Sequence, residues 1–267
     1  MTKVPLIRPR EQHGLILSDS LEKLYADYDI SNLKYGERGD ALGDLYEEFT
    51  ESAFLSSENI YKFNKNYKDK TIEFRLLHSI CSPYVDKIEK LQILPVNRRD
   101  SGGLPKTDLS ILLNKMVKIN LSIKQSVAKN VTAAEFDVAT IRKEVKLSDP
   151  KLITLLEKFQ RDNSAINFSK EEKESMTKLL HKKKKDLVRW ILTGSIKKNA
   201  VDNRIANHIL MYKLDKKEHT LKSFNSYSVE KHIEKLIKKT AGFGTGLSWT
   251  YATGSKGKKI QFKCPVY

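Results

Sequence analysis

From Val117 to Lys124 apolar and polar side chains alternate without a break, with Val117, Ile119, Leu121 and Ile123 on one side and Lys118, Asn120, Ser122 and Lys124 on the other. A period of two is the signature of a β-strand with one packed face and one polar face. Asp108 to Leu113 reads as a second strand, and Asn114-Lys115 between them is short enough to join the two as an antiparallel hairpin. Whatever else the chain forms has to be arranged around a sheet.

The first hundred residues read as helices instead. Ser18 or Asp19 caps one that runs to Tyr28, and Asp40 to Asn64 carries Leu42, Leu45, Tyr46, Phe49, Phe54 and Leu55 at helical spacing. A third spans Lys70 to Leu91, broken or kinked at Pro83. The segment from Asn97 to Pro105 is turn chemistry throughout. After the hairpin, Thr132 to Val145 is expected as a helix because Thr132 and Glu135 have capping-box spacing. Asp149-Pro150 opens the next helix, and Ser169 with Glu172 opens another that ends at Gly194 and includes the run His181 to Lys185. Arg204 to Leu214 and Thr220 to Phe224 read as strands and Val229 to Lys239 as a basic amphipathic helix. Two strands joined by a Gly/Ser/Lys turn close the chain between Gly242 and Lys263, with Trp249 and Tyr251 read as packing residues.

Composition excludes several classes. At 39% apolar residues the chain can bury a sizeable core, and Cys81 and Cys264 sit in neither a CxxC nor a Cys/His cluster, which argues against a disulfide scaffold or a structural zinc site. No apolar stretch is long enough to cross a bilayer, and reduced thiols fit a cytoplasmic protein that is neither secreted nor embedded. The charge of +16 is segregated: residues 1 to 100 sum to −2, residues 101 to 180 to +4 and residues 181 to 267 to +14. A positive surface gathered in one third of a chain favours a polyanion, nucleic acid first.

Chemistry can be placed on the hairpin. Pro105-Lys-Thr-Asp108 followed by Ser122-Ile-Lys124 sets a carboxylate, a hydroxyl and an ammonium at one sheet edge, the order of a metal-dependent nuclease of the PD-(D/E)xK type. Mg²⁺ takes hard oxygen ligands from few protein groups and stabilises charge on a phosphodiester under attack. Asp108 and the backbone carbonyl of Ile123 would bind the ion, and Lys124 would hold the attacking water and the scissile phosphate. Read without that context, an Asp and a Lys on adjacent strands are a surface ion pair. Ser122 stands where an acid is expected; Asn120, two residues back, or Glu47 on an early helix could complete the site, although a helical Glu reads first as solvent-exposed. Gly242 to Gly246 lacks the helix that a phosphate-binding loop needs.

The run from Gly242 to Lys263, together with Pro105-Lys-Thr-Asp108, Ser122-Ile-Lys124 and Ala134 to Ile141, resembles the MspI family of type II restriction endonucleases, in order and spacing from about Gly39 onward. The resemblance implies an α/β fold, a central mixed β-sheet flanked by helices with a C-terminal basic β-hairpin. It implies a single domain over 1–267, with 1–100 mainly helical, 105–147 the catalytic hairpin and helix, and 200–267 the DNA-reading β region. It also implies Mg²⁺-dependent cleavage of double-stranded DNA at CCGG, by a monomer or homodimer, beside a methyltransferase that protects the host.

Carried over by position, Asp108 matches the family's metal-binding aspartate and Lys124 its catalytic lysine. Ser122 and Gln125 replace an Asn and a His, and Gln cannot titrate. Thr132, Glu135, Thr250, Thr253, Gln261 and Lys263 match residues near base edges or the adjoining backbone. Thr253 replaces a serine there. Ser255 is assigned to DNA with them, and Lys256, Lys258 and Lys259 to phosphates. Lys can donate to guanine and Glu can accept from cytosine. Two other classes stay open on the residues alone: a DNA-binding protein of the same fold with weakened catalysis, and a lysine-rich RNA-binding protein.

Overall fold

The computed structural model describes residues 19–28, 30–97, 105–198, 202–251 and 258–265. Four helices, α1 (Asp19–Tyr28), α2 (Tyr35–Leu55), α3 (Ser57–Asn64) and α4 (Ile72–Cys81), precede β1 (Leu91–Leu94), β2 (Leu109–Leu113), β3 (Val117–Ser126) and β4 (Asn130–Phe136). Then come α5 (Val138–Val145), α6 (Pro150–Asp162), α7 (Lys170–Leu180), α8 (Lys184–Thr193), β5 (His208–Leu214), β6 (Leu221–Ser228), α9 (Val229–Leu236), β7 (Ser248–Tyr251) and β8 (Ile260–Pro265).

The strands make two sheets. The first has order β1-β2-β3-β5-β6 and is mixed, because β3 and β5 run parallel while the other neighbours are antiparallel. The second is antiparallel, β4-β8-β7. The expected hairpin is present, Leu113 opposite Val117, and its tip uses left-handed backbone at Asn114 (φ 50°) and Lys115 (φ 60°). Such primed turns match the twist of the strands they join.

Two cores sandwich the first sheet. Ile119, Leu121 and Ile123 of β3, with Leu210 and Tyr212 of β5, pack against α1–α4, and Ile209 and Met211 of β5 enter a second core with α5–α9 and the inner face of β8. A central strand with a parallel neighbour is covered on both sides. The polar side of β3 is therefore not a solvent face: Asn120 and Ser122 are buried.

Four expectations change. Asn130 to Phe136 is strand, not helix, so the capping box at Thr132 and Glu135 does not form; Asp137 caps α5 instead, accepting the Thr140 N–H at 2.6 Å. The bulge of β4 between Thr132 and Ala134 explains the misreading. One extra residue there puts Thr132 and Glu135, three apart, on the same face of a strand, and three is also the spacing of a capping box. The helix expected from Asp40 to Asn64 starts at Tyr35 and breaks at Ser56, whose hydroxyl accepts from the Asn59 N–H and starts α3. The helix expected from Ser169 to Gly194 keeps its capping box and its left-handed Gly194 but breaks at His181 to Lys183, where the lysine run offers no apolar residue to hold a continuous helix. The break lets Leu187, Val188 and Ile191 of α8 join the second core. Lys70 to Leu91 contains only α4, which ends before Pro83, and Leu91 already begins β1.

Candidate active site

The loop before β2 is zipped onto β3 one residue early, the Asp108 N–H donating to the Leu121 carbonyl at 2.8 Å. This brings the Asp108 carboxylate to the sheet end, where its Oδ2 accepts the Ile123 N–H at 2.6 Å and the Lys124 Nζ at 3.2 Å. The same ammonium donates to the Ile123 carbonyl at 2.7 Å. Asp108 and Lys124 are partly exposed, 20% and 26%, at the rim of an otherwise packed sheet. Asp108 Oδ2 and the Ile123 carbonyl thus converge on one positive charge, and an oxygen pair that holds an ammonium suits a hard divalent cation. Among the described residues no three His, Cys, Asp or Glu side chains form a metal cluster.

Glu47, read first as solvent-exposed, is partly buried near Asp108 and Lys124. Helix α2 is clamped to the sheet by Tyr46, whose ring stacks on Tyr212 at 4.5 Å, and by Thr50, which hydrogen-bonds the Tyr212 hydroxyl at 2.8 Å. Glu47, next to Tyr46, is half-buried. Burial and the negative charge of Asp108 push its carboxyl up to about 7, with Lys124 pulling the other way. The sequence carried a hint, since Glu47 borders the buried stripe of Leu42, Leu45, Tyr46 and Phe49.

The other polar groups divide. Asn120, the alternative amide for the site, has its donors on the carbonyls of Asp202 (3.0 Å) and Ile205 (2.9 Å), and its oxygen accepts from Ser110 (2.8 Å), so it fastens the 202–207 loop to the hairpin. Ser122 is buried between β3 and β4, in a narrow gap it shares with Lys106 and Lys124 beneath Val131 and Ala133. Gln125 donates to the Gly39 carbonyl of α2 at 3.0 Å, a strand-to-helix tether. Lys106, which sequence reasoning passed over, donates to the Ala133 carbonyl at 2.7 Å and ties the catalytic loop to β4.

The second sheet has one bare face. On β8 Ile260, Phe262 and Cys264 point inward, while Gln261 and Lys263 alternate outward. Across the ladders Lys263 lies between Thr132 and Ser248, and Gln261 lies between Glu135 and Thr250. Five residues singled out from the sequence thus share one surface, with Ser248, which no sequence signal marked, as a sixth. Trp249 faces inward against Phe159, Phe243 and Phe262 as expected, whereas Tyr251, expected to pack as well, is exposed at the end of β7. The turn from Gly242 to Gly246 leads into β7 and not into a helix, and a Cβ at Gly246 (φ +74°) would meet the Leu236 carbonyl at 2.1 Å. Lys258 and Lys259 are exposed before β8. Thr253, Ser255 and Lys256 lie outside the described residues.

A family model described as restriction endonuclease MspI matches residues 25–264. The type II restriction enzyme MspI of Moraxella sp is 33% identical over 261 residues, spanning 92% of this chain and 99% of that protein. A crystal structure of restriction endonuclease MspI with its cognate DNA superposes with a TM-score of 0.78 at 30% identity, over 92% of this chain and 99% of the other.

Proposed function

This chain belongs to the restriction endonuclease MspI family, and from that membership we propose that it hydrolyses double-stranded DNA at one short sequence, CCGG, with Mg²⁺ as cofactor. The observation that carries the chemistry is the meeting of Asp108, Lys124 and the Ile123 carbonyl at the rim of the first sheet. Asp108 and the Ile123 carbonyl would hold the ion, with Glu47 as the second carboxylate in place of the acid absent at Ser122. The ion supplies charge neutralisation at the phosphodiester and a more acidic water.

Lys124 does the positioning. Its ammonium gives up the Ile123 carbonyl for the attacking water and a non-bridging phosphate oxygen, both within reach of one flexible side chain. Ser122 acts from beneath, its small side chain letting β4 come close. Gln125 is a positioning residue: it fixes α2, and with it Glu47, without moving a proton. Lys258 and Lys259, with Ser255 and Lys256 just before them in the sequence, contact phosphates and set the salt dependence of binding. Thr253 contacts the bases. The protein acts in the cytoplasm as a monomer or homodimer, beside a methyltransferase that protects host sites. No helix among the described residues is long and apolar enough to cross a membrane.

Digestion of a sequenced plasmid with Mg²⁺ or with chelator, beside Lys124→Ala, tests this. Discrete fragments ending in CCGG, absent with chelator and in the variant, are expected. Discrete ends at another sequence would replace CCGG and keep the mechanism. Folded protein that retards the plasmid yet never cuts it would overturn the catalytic reading.

A further inference from the structure

One ammonium bridges the two sheets. On β4, Thr132 pairs with Lys263 and Ala134 with Phe262, so Ala133 is the extra residue of the bulge and has no partner across that ladder. Its carbonyl accepts from Lys106 Nζ at 2.7 Å. The same ammonium lies 5.7 Å from the centre of the Phe136 ring, and that ring is 4.1 Å from the ring of Trp190 on α8. Lys106 thus grips β4 at its bulge and at its end, across the narrow gap that it lines with Ser122 and Lys124.

The other end of this tie is the metal site. Lys106 and Asp108 are two residues apart in the loop before β2, and the backbone is pinned at both. The Lys106 N–H donates to the Arg204 carbonyl at 3.2 Å and the Asp108 N–H to the Leu121 carbonyl at 2.8 Å. Arg204 lies in the loop that Asn120 fastens to β3. With that backbone held to the first sheet, the reach of the Lys106 side chain sets how far Asp108 stands from the β4 bulge. Lys213 holds the turn between β3 and β4 through the Val127 and Ala128 carbonyls, so the strand is tied at its start by one lysine and at its middle by another. Thr132 and Glu135, the β4 residues assigned to DNA by position, stand on either side of the bulge.

We propose that Lys106 is a positioning residue that links site binding to cleavage: DNA seated on Thr132 and Glu135 fixes the bulge between them, and Lys106 carries that position to Asp108. The inference rests on the endonuclease reading above and adds the connection between its two surfaces. An ammonium on a carbonyl is a charge-assisted bond, roughly twice as strong as a neutral one. A shift of about 1 Å in a catalytic group can cost on the order of 100-fold in rate. Loss of the bond therefore lowers the cleavage rate and spares affinity.

Single-turnover cleavage of a CCGG duplex, with enzyme in excess, beside equilibrium binding of that duplex in chelator, separates the two quantities. Lys106→Met keeps the apolar stem and removes the ammonium. It is expected to lower the cleavage rate roughly 10- to 100-fold while binding and its salt dependence stay within about twofold of native. Lys106→Cys should show the same loss, and alkylation of the introduced thiol with bromoethylamine, which displaces bromide and rebuilds an ammonium at lysine's length, should return most of the rate. Cys81 and Cys264 are buried with thiols pushed up to about 12, so native protein treated in parallel should be unchanged. Binding in chelator reports the folded fraction, so misfolding cannot imitate the expected result. An unaltered rate in Lys106→Met would overturn the proposal, as would a rate that alkylation fails to restore. Weaker binding with a shallower salt dependence would overturn it in favour of a phosphate contact. A native protein that binds the duplex and never cuts it would sink the endonuclease reading instead, a distinct result.

Discussion

The first sheet and the second are built from similarly alternating strands, yet one is covered on both faces and the other on one. In the first, β3 lies between two cores, and its functional groups emerge only at the rim, where Asp108, Lys124 and the Ile123 carbonyl are held by bonds of 2.6–3.2 Å. In the second, β8 buries Ile260, Phe262 and Cys264 and leaves Gln261 and Lys263 outward. Catalysis needs a few atoms fixed closely, which packing on both sides provides. Base recognition needs a row of polar groups that can enter a groove, which only a one-sided sheet can display.

This contrast predicts that the two sheets can be damaged separately. Lys124→Ala should lower the cleavage rate on the order of 10²- to 10³-fold while cognate binding in chelator stays within about twofold of native. A parallel loss of binding would show that the rim also carries recognition. Lys263→Ala should do the reverse, costing about 1–3 kcal/mol on CCGG and nothing on random DNA in the same binding assay. An equal loss on both duplexes would make Lys263 a phosphate contact.

Acid sharpens the comparison, because each sheet has a buried histidine. Burial holds the pKa of His208, on β5 of the first sheet, and of His232, on α9 below the second, down at about 4. The unfolded chain, with histidines near 6.5, binds protons first as pH falls, so stability is lost between about 6.5 and 4, by up to about 1.4 kcal/mol per pH unit for each histidine. The Glu47 carboxyl, raised to about 7, takes up its proton first in the folded state and opposes this loss over the same range, so urea unfolding at pH 7, 6 and 5 should show the net slope, and His232→Gln should lower it by up to about 1.4 kcal/mol per pH unit. Two separate transitions, with only one sensitive to His232→Gln, would mean that the sheets unfold independently. The smallest effect belongs to the tether: Gln125→Ala should cost about 1 kcal/mol of stability in the same unfolding assay and raise the Mg²⁺ concentration needed for half-maximal cleavage, since α2 carries Glu47. An unchanged Mg²⁺ requirement would detach Glu47 from the metal.

Legibility followed distance along the chain. The hairpin was readable because both its signals, an unbroken alternation and a tight turn, are local, and Asp108 and Lys124 came with it. Helix starts with side-chain caps were readable too: Asp149 accepts the Leu152 N–H and Ser169 that of Glu172. The segment from Asn130 to Phe136 was not, because its spacing of three between polar residues serves a helix cap and a bulged strand equally well, and its partner strand begins at Ile260. Glu47 was assigned to solvent because nothing near it in sequence shows that Asp108 lies beside it.

The sequence by itself determined the hairpin, the Asp108–Lys124 pair and, through its resemblance, the family, since each depends on residues a few positions apart. Only the tertiary structure decided that β4 is a strand, that Asn120 is tied to the 202–207 loop, that Glu47 sits near Asp108 and away from bulk solvent, and that Gln261 bonds Glu135 across a separation of 126 residues. Those outcomes depend on which distant segments come together to bury apolar surface, and local pattern does not encode that choice.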